Sequence, residues 1–378
     1  MTWETVPLAE LVAPVARKGP AGGRRTFTYV DLSSVDSVSK RIVAPAEVAV
    51  DDAPSRARQS LRTGDVLVST VRPNLNGVAV VESHLNGAIG STGFAVLRAD
   101  VGRLDQRYLF HWVRTQQFIE AMTRVATGAS YPAVSDASVK SSHIPLPPLP
   151  DQRRIAAILD EADRSVAAAE QGALSLSELL AAEFDRRFPQ RSSGTRNVAL
   201  AHLGRIVTGK TPPGARDGMY GGPIPFVTPG DLESSYSAQR SLSEEGALTV
   251  PTVRAGSLLV CCIGATVGKM AIAKSECGFN QQINAVEWGD LIEPDYGFHA
   301  MSRLRSTIIA RAASTTLPIL AKSKFAMLSI PVPPKTEQLK FAAIADQTES
   351  SRKVALERAR FVRALFASLQ HRAFRGEL

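Results

Sequence analysis

Two sets of residues in this 378-residue chain have types and spacings that could do chemistry. The first is Gly204-Arg205-Ile206-Val207-Thr208-Gly209-Lys210-Thr211, which fits the phosphate-loop pattern letter for letter. Such a loop cradles phosphates only when a helix opens at its lysine and threonine. Pro212-Pro213-Gly214 follows at once and argues against that helix. The sequence therefore predicts a Gly-hinged loop ending near Lys210 rather than a nucleotide site. The second set is scattered and polar. It comprises Arg72, Asn74, Asn76, Ser91, Thr92, Ser130 and Tyr131 in the first part of the chain. In the second part it comprises Lys210, Thr211, Arg216, Tyr220, Lys269, Gln281, Gln282, Asn284, Lys322 and Lys324. Arginine, asparagine and glutamine bond base edges bidentately; lysine and hydroxyl groups hold phosphates.

Catalytic constellations are missing. The chain has no Asn-Pro-Pro-Tyr or Asp-Pro-Pro-Tyr of an amino-methyltransferase and no nuclease-like acidic and lysine cluster. His84, His111, His143, His202 and His299 lack metal-ligand spacing and read as packed or surface histidines. Cys261, Cys262 and Cys277 read as reduced strand thiols. The N-terminus carries no basic and apolar leader pattern, and no stretch of 18 apolar residues exists, so neither a signal peptide nor a transmembrane helix is expected.

The elements that must position the polar residues come twice. Ile144-Pro145-Leu146-Pro147-Pro148 leads to Gln152, Ile155-Ala156-Ala157-Ile158 and Asp160. Ile330-Pro331-Val332-Pro333-Pro334 leads to Gln338, Phe341-Ala342-Ala343-Ile344 and Asp346. The offset is 186 residues and holds to the pair Phe188 and Phe374. Each proline run keeps the chain extended until a helix begins. In the first helix, small or apolar residues fall at Ile155, Leu159, Ala162, Val166, Ala169, Ala173, Leu176 and Leu180. In the second they fall at Phe341, Ala345, Thr348, Ala355, Ala359, Val362, Phe366 and Leu369, with Arg352 the one charged member. Spacings of four and three make a heptad seam. Helices of roughly 38–44 residues would be about 57–66 Å long. Residues 151–188 carry 5 basic and 8 acidic groups, net −3; residues 335–378 carry 9 and 5, net +4. Opposite charge favours pairing the helices with each other, and a chain returning through a globular domain can make them antiparallel.

The globular parts echo each other as well. Leu61-Arg62-Thr63-Gly64-Asp65-Val66-Leu67-Val68 resembles Val253-Arg254-Ala255-Gly256-Ser257-Leu258-Leu259-Val260. Gly77-Val78-Ala79-Val80-Val81 is aligned with Gly268-Lys269-Met270-Ala271-Ile272, Tyr108 with Tyr296, and Pro132 with Pro318. Residues 1–148 carry 16 basic and 13 acidic groups, and residues 189–334 carry 14 and 10, so both share a basic excess within the net +8. A polyanion partner fits that balance. Divergent loops on a kept scaffold suit a recognition module.

The duplicated Ile-Pro-(Leu/Val)-Pro-Pro before Asp151-Gln152 and Glu337-Gln338, the Arg154–Leu159 run and the closing Ala373-Phe374-Arg375-Gly376-Glu377-Leu378 resemble the DNA-specificity (S) subunit of type I restriction–modification systems. The resemblance covers essentially the whole chain; Phe341 departs conservatively from the family's isoleucine. It implies a non-catalytic, cytoplasmic subunit of the α/β class. Two globular α+β target-recognition domains, 1–148 and 191–334, are separated by an antiparallel coiled coil of long helices in 149–190 and 335–378, a pseudo-two-fold internal repeat. Each domain would read half of a bipartite site in double-stranded DNA. Gln152, Ile155, Leu159, Gln338, Phe341 and Ile344 would anchor the domain–helix junctions. Methyltransferase subunits, typically two, would dock on the helices, with motor-nuclease subunits for restriction. S-adenosylmethionine and ATP would be used by those partners and not by this chain. A rigid coiled coil would hold half-sites about one turn, roughly 34 Å, apart. Two other readings are a coiled-coil adaptor that binds no DNA and an NTPase using Gly204–Thr211.

Overall fold

The computed structural model describes residues 3–20, 25–189, 196–213, 217–232, 237–313 and 317–378. The chain divides into two compact units. The first is Met1–Glu170 with Glu357–Leu378; the second is Gln171–Leu356.

Each unit contains the same three sheets. In the first, Val12–Ala13, Phe94–Ala99, Val66–Ser69 and Val78–Val80 lie side by side in that order, all antiparallel. The second unit repeats this with Gly204–Thr208, Ile283–Trp288, Leu258–Cys261 and Met270–Ile272. A further four-stranded sheet has order Ala46–Ala49, Thr26–Val30, Ile89–Ser91, Ala57–Ser60; its counterpart is Arg240–Leu242, Tyr220–Val227, Cys277–Phe279, Thr252–Val253. In both, the central pair is parallel and the outer pairs antiparallel. A two-stranded sheet joins Thr5–Pro7 to His143–Pro145, and Arg196–Ala199 to Ser329–Val332. The apolar runs at 66–68 and 258–260 are buried on both faces, which is why they read as continuous rather than alternating.

Strand register corrects one sequence alignment. Val66 pairs with Val80 and Leu258 with Ile272. The offset in this hairpin is thus 192, so Gly268 corresponds to Asn76 and Lys269 to Gly77, one residue from the pairing read in the sequence. Two similar glycines at neighbouring positions had mimicked a match.

The proline runs end where two 39-residue helices begin, Leu149–Arg187 and Lys335–Ala373. The heptad seam faces inward. Val166, Ala173, Leu180, Ala345 and Ala359 are buried, and the other named seam positions are buried or half-buried, including Arg352. Within the first unit the start of the first long helix runs antiparallel to the end of the second. Arg154 donates to the Leu378 carbonyl at 3.0 Å, and Arg363 pairs with Glu170. In the second unit the end of the first helix packs on the start of the second, with Leu180, Phe184 and Phe188 against Phe341 and Ala345. Each domain is therefore completed by the helix end of the other repeat. Tyr108 meets Phe374 at 4.9 Å between ring centroids, and Tyr296 meets Phe188 at 5.0 Å.

A glutamine locks each junction. Gln152 accepts from the Asp105 N–H (2.8 Å) and donates to the carbonyls of Arg103 (3.0 Å) and Pro147 (2.8 Å). Gln338 accepts from the Glu293 N–H (2.8 Å) and donates to the carbonyls of Leu291 and Pro333 (2.9 Å each). Both amides are buried with all three bonds satisfied, the state in which a buried amide stabilises a fold. Beside them, the Tyr108 and Tyr296 hydroxyls donate to the carbonyls of Pro145 (2.9 Å) and Pro331 (2.8 Å). Ile155, Leu159 and Phe341 are fully buried at these junctions, and Ile344 is half-buried.

Candidate nucleic-acid interface

At one end of each antiparallel four-stranded sheet, loops are tied together by a repeated frame of backbone hydrogen bonds. In the first unit the Thr70 N–H donates to Gly93 O (2.9 Å), Val134 N–H to Thr70 O (2.8 Å) and Arg72 N–H to Pro132 O (2.6 Å). In the second, Cys262 N–H donates to Gln282 O (2.7 Å), Leu320 N–H to Cys262 O (2.8 Å) and Gly264 N–H to Pro318 O (2.9 Å). The frames match bond for bond. Their side chains do not: Arg72 stands where the other unit has Gly264, Thr92 where it has Gln281, Gly93 where it has Gln282, and Tyr131 where it has Leu317.

The first cluster presents Arg72, Asn74, Thr92, Ser130 and Tyr131, all exposed. The Arg72 guanidinium lies 4.6 Å from the centre of the Tyr131 ring. Asn76 and Ser91 do not belong to this surface, which corrects the expectation from sequence. Asn76 is buried, donates to Val113 O (2.8 Å) and receives Lys40 Nζ on both its carbonyl oxygens. Ser91 is buried and accepts from the Gly93 N–H. Both hold the loops from beneath. Burial depresses the Lys40 ammonium, with Arg114 adding to the effect, to about 8.

The second cluster gathers Lys210, Thr211, Gln281 and Gln282. The Thr211 hydroxyl donates to Gln281 Oε1 at 2.6 Å, and Gln282 Nε2 donates to Ile263 O at 3.2 Å. Lys269 sits half-buried at the end of the 262–269 loop. Lys322 and Lys324 are exposed on the short helix Lys322–Ala326 that follows the loop. Asn284 is a second correction: it is buried and accepts the Thr208 hydroxyl at 2.7 Å, inside the sheet. Tyr220 belongs to the other sheet, half-buried under the Arg240 guanidinium (4.2 Å). Arg216 lies outside the described residues.

The phosphate-loop pattern dissolves in the structure. Gly204–Thr208 is a strand paired with Ile283–Trp288, and residues 209–213 form no helix. Gly209 is required for close approach: a Cβ there would meet Asn280 O at 2.1 Å and Phe279 O at 2.4 Å. The Lys210 N–H is already spent on Phe279 O (2.9 Å). The backbone is therefore not arranged to receive a nucleotide phosphate.

Sequence reasoning missed Lys18, Arg17, Arg56 and Arg58. All four are exposed and make no ion pair with a described carboxylate. Arg56 O accepts the Thr92 N–H, Arg17 bridges Gln59, and the Arg58 guanidinium lies beside Gly19. Strand register supplies the missing signal. Val12 faces Ala99 as Gly204 faces Trp288, and six residues onward come Lys18 and Lys210.

The three cysteines are free and buried, and burial pushes the Cys262 and Cys277 thiols up to about 12. No metal-binding group of side chains is found among the described residues. No helix among them is long and apolar enough to cross a membrane.

Two like domains, each holding unlike basic and amide side chains on one loop frame, define a duplicated recognition protein. The family model for the type I restriction modification DNA specificity domain matches the chain twice, over residues 64–175 and 193–360. The chain belongs to this family, and is a non-catalytic DNA-specificity subunit. It is similar to the specificity subunit of the type I restriction enzyme HindI of Haemophilus influenzae, 22% identical over 364 residues, 75% of this chain and 79% of that one. It is also similar to a chain from a structure concerned with complex assembly and conformational transition of the type I restriction–modification system. That match has 28% identity and a TM-score of 0.63, over 100% of this chain and 98% of the other. The type I S subunit from M. genitalium has the same fold, with a TM-score of 0.58 at 14% identity, over 98% and 96% of the two chains.

Proposed function

We propose that each domain reads one half of a bipartite site in double-stranded DNA through the loop end of its antiparallel sheet. The observation that carries this reading is the repeated hydrogen-bond frame bearing different side chains. One scaffold used twice with Arg72, Asn74, Thr92, Ser130 and Tyr131 on one copy and Lys210, Thr211, Gln281 and Gln282 on the other is suited to two different short sequences. Lys269, Lys322 and Lys324, with Lys18, Arg17, Arg56 and Arg58, would hold phosphates and set affinity through counterion release.

The long helices serve as spacer and as docking surface for methyltransferase subunits, expected to number two, and a motor-nuclease subunit would join for restriction. Their outward faces keep large apolar residues exposed: Leu174 and Leu179 on the first helix, and Val354, Phe361 and Leu365 at one-face spacing on the second. Adenine methylation with S-adenosylmethionine and ATP-driven cleavage are assigned to those partners, in the cytoplasm.

The test is base-resolved methylation mapping of a host genome with and without this gene, its methyltransferase partner present in both. Gene-dependent methyladenine in a two-part motif with a fixed gap is the expected result. Methylation unchanged by loss of the gene would overturn the reading. Lengthening both helices by the same few residues should change the gap and leave both half-sites intact.

A further inference from the structure

Two non-glycine residues of the first unit's loop, Arg72 (φ 49°) and Asn76 (φ 47°), are left-handed. Their counterparts in the second unit are both glycine, Gly264 (φ 95°) and Gly268 (φ 89°), so the frame demands this backbone and glycine is its unstrained occupant. Asn76 has a structural reason to replace glycine, because its buried amide bonds Val113 O and Lys40. Asparagine also tolerates the left-handed region well. Arg72 has no such reason. Its side chain is exposed, and its one described partner is the face of Tyr131, which is itself 68% exposed. The frame bond it makes, N–H to Pro132 O, uses only backbone that glycine has too, as Gly264 demonstrates with Pro318. A long cationic side chain on strained backbone, contributing nothing to the frame, is the mark of a residue kept for what it contacts outside the chain.

We infer that Arg72, its guanidinium held over the Tyr131 ring, is the main specificity-determining residue of the first domain, reading a guanine of that domain's half-site. Stacking on an aromatic face fixes the plane of the fork while leaving its N–H edge free. A fork so held matches guanine O6 and N7 in the major groove, the commonest specific protein–DNA contact. The second unit has Gly264 and Leu317 in these places, so its half-site lacks this contact and depends on Gln281, Gln282 and Lys210 instead. This inference rests on the proposed reading of one half-site per domain.

Three variants of the full chain, expressed in the host in place of the wild type, test it by the same methylation mapping. Arg72→Gly installs the residue the second unit already carries on this frame. Arg72→Lys keeps the charge and loses the fork. Tyr131→Leu removes the platform. The expected result is that the two-part motif persists, that one base pair of one half-site loses discrimination roughly ten- to a hundredfold in Arg72→Gly and Arg72→Lys, and that Tyr131→Leu relaxes the same position less. An unchanged motif in Arg72→Gly overturns the inference. So does a uniform fall in methylation with no change of motif, since that marks a phosphate contact; rescue by Arg72→Lys would show the same. Should Arg72→Gly fail to accumulate, Arg72→Lys and Tyr131→Leu decide by the same criteria. Absence of any gene-dependent motif with the wild type is a different failure and strikes the proposed function itself.

Discussion

The two domain–helix junctions share their glutamine locks, their tyrosine–carbonyl bonds and their tyrosine–phenylalanine contacts, and differ in charge. At the first, Arg107 of the helix Gln106–Trp112 bonds Asp160 through Nε (3.1 Å to both oxygens). The buried His111 adds Nε2 at 2.7 Å, and Arg114 grips Asp163 with two bonds of 2.8 Å. At the second, the positions of Arg107 and Asp160 are taken by Asp295 and Asp346, and that of Arg114 by Ser302. An attractive pair has become two like charges. Aromatic packing stands in its place: Phe341 lies within 6.4 Å, centroid to centroid, of Phe184, Phe188, Tyr296 and His299. One buried geometry thus carries an added ionic network at the first junction and an added aromatic ring, Phe341 where the first has Ile155, at the second. The repeat keeps its hydrogen bonds and ring contacts in place and exchanges the charges around them.

That contrast can be broken from either side. Phe341→Ala should have the largest effect, a loss of about 3–5 kcal/mol, because it empties the middle of the aromatic cluster; urea unfolding reads it directly. Gln152→Leu and Gln338→Leu should each lose about 3 kcal/mol, since each strands one N–H and two carbonyls. Equal losses would establish the glutamine as the common element, whereas a loss at only one junction would refute its equivalence. Asp160→Ala should cost about 2 kcal/mol by leaving Arg107 and His111 unpaired. Asp346→Ala should be neutral or slightly stabilising. A matching loss in both would show that the charge inversion is energetically empty. The smallest loss is that of Arg303→Ala, which removes an exposed pair with Asp185 and should cost less than about 1 kcal/mol, vanishing in high salt.

Acid should separate the junctions as well. Burial lowers the His111 imidazole below 6.5, despite Asp160, and burial lowers His299 to about 4. The unfolded chain therefore takes up protons first, and both junctions lose stability as pH falls below about 6.5. Burial tends to raise the Asp160 carboxyl, yet bonds from His111 and Arg107 hold it well below 3.8, so its contribution is lost on further acidification. Desolvation and then the charges of Glu293 and Asp346 raise Asp295, so its protonation at falling pH favours the folded second unit. Amide hydrogen exchange resolved by peptide should find the first junction opening at higher pH. The reverse order would contradict the ionic account.

Much of the fold was legible because repetition doubles each weak signal. The proline runs, the Gln152 and Gln338 positions and the heptad seam needed only spacing. The interface was less legible, for a physical reason: polarity does not tell which way a loop residue turns. Asn76, Ser91 and Asn284 are as polar as Asn74, Thr92 and Gln281, yet they spend their hydrogen bonds inward. Lys18 was invisible because the strand before it, Val12–Ala13, is too short to carry a pattern, and only register across the sheet aligns it with Lys210.

The crossing of helix ends has a consequence for synthesis. The first domain's Tyr108 and Trp112 wait for Phe374, which packs on both. Between Phe188, where the first repeat is fully made, and Phe374 the ribosome must add 186 more residues. At typical elongation rates that is on the order of 10 to 40 s. Throughout that interval the nascent first domain displays an unfilled aromatic pocket, a natural target for a chaperone or for the corresponding helix of another nascent copy.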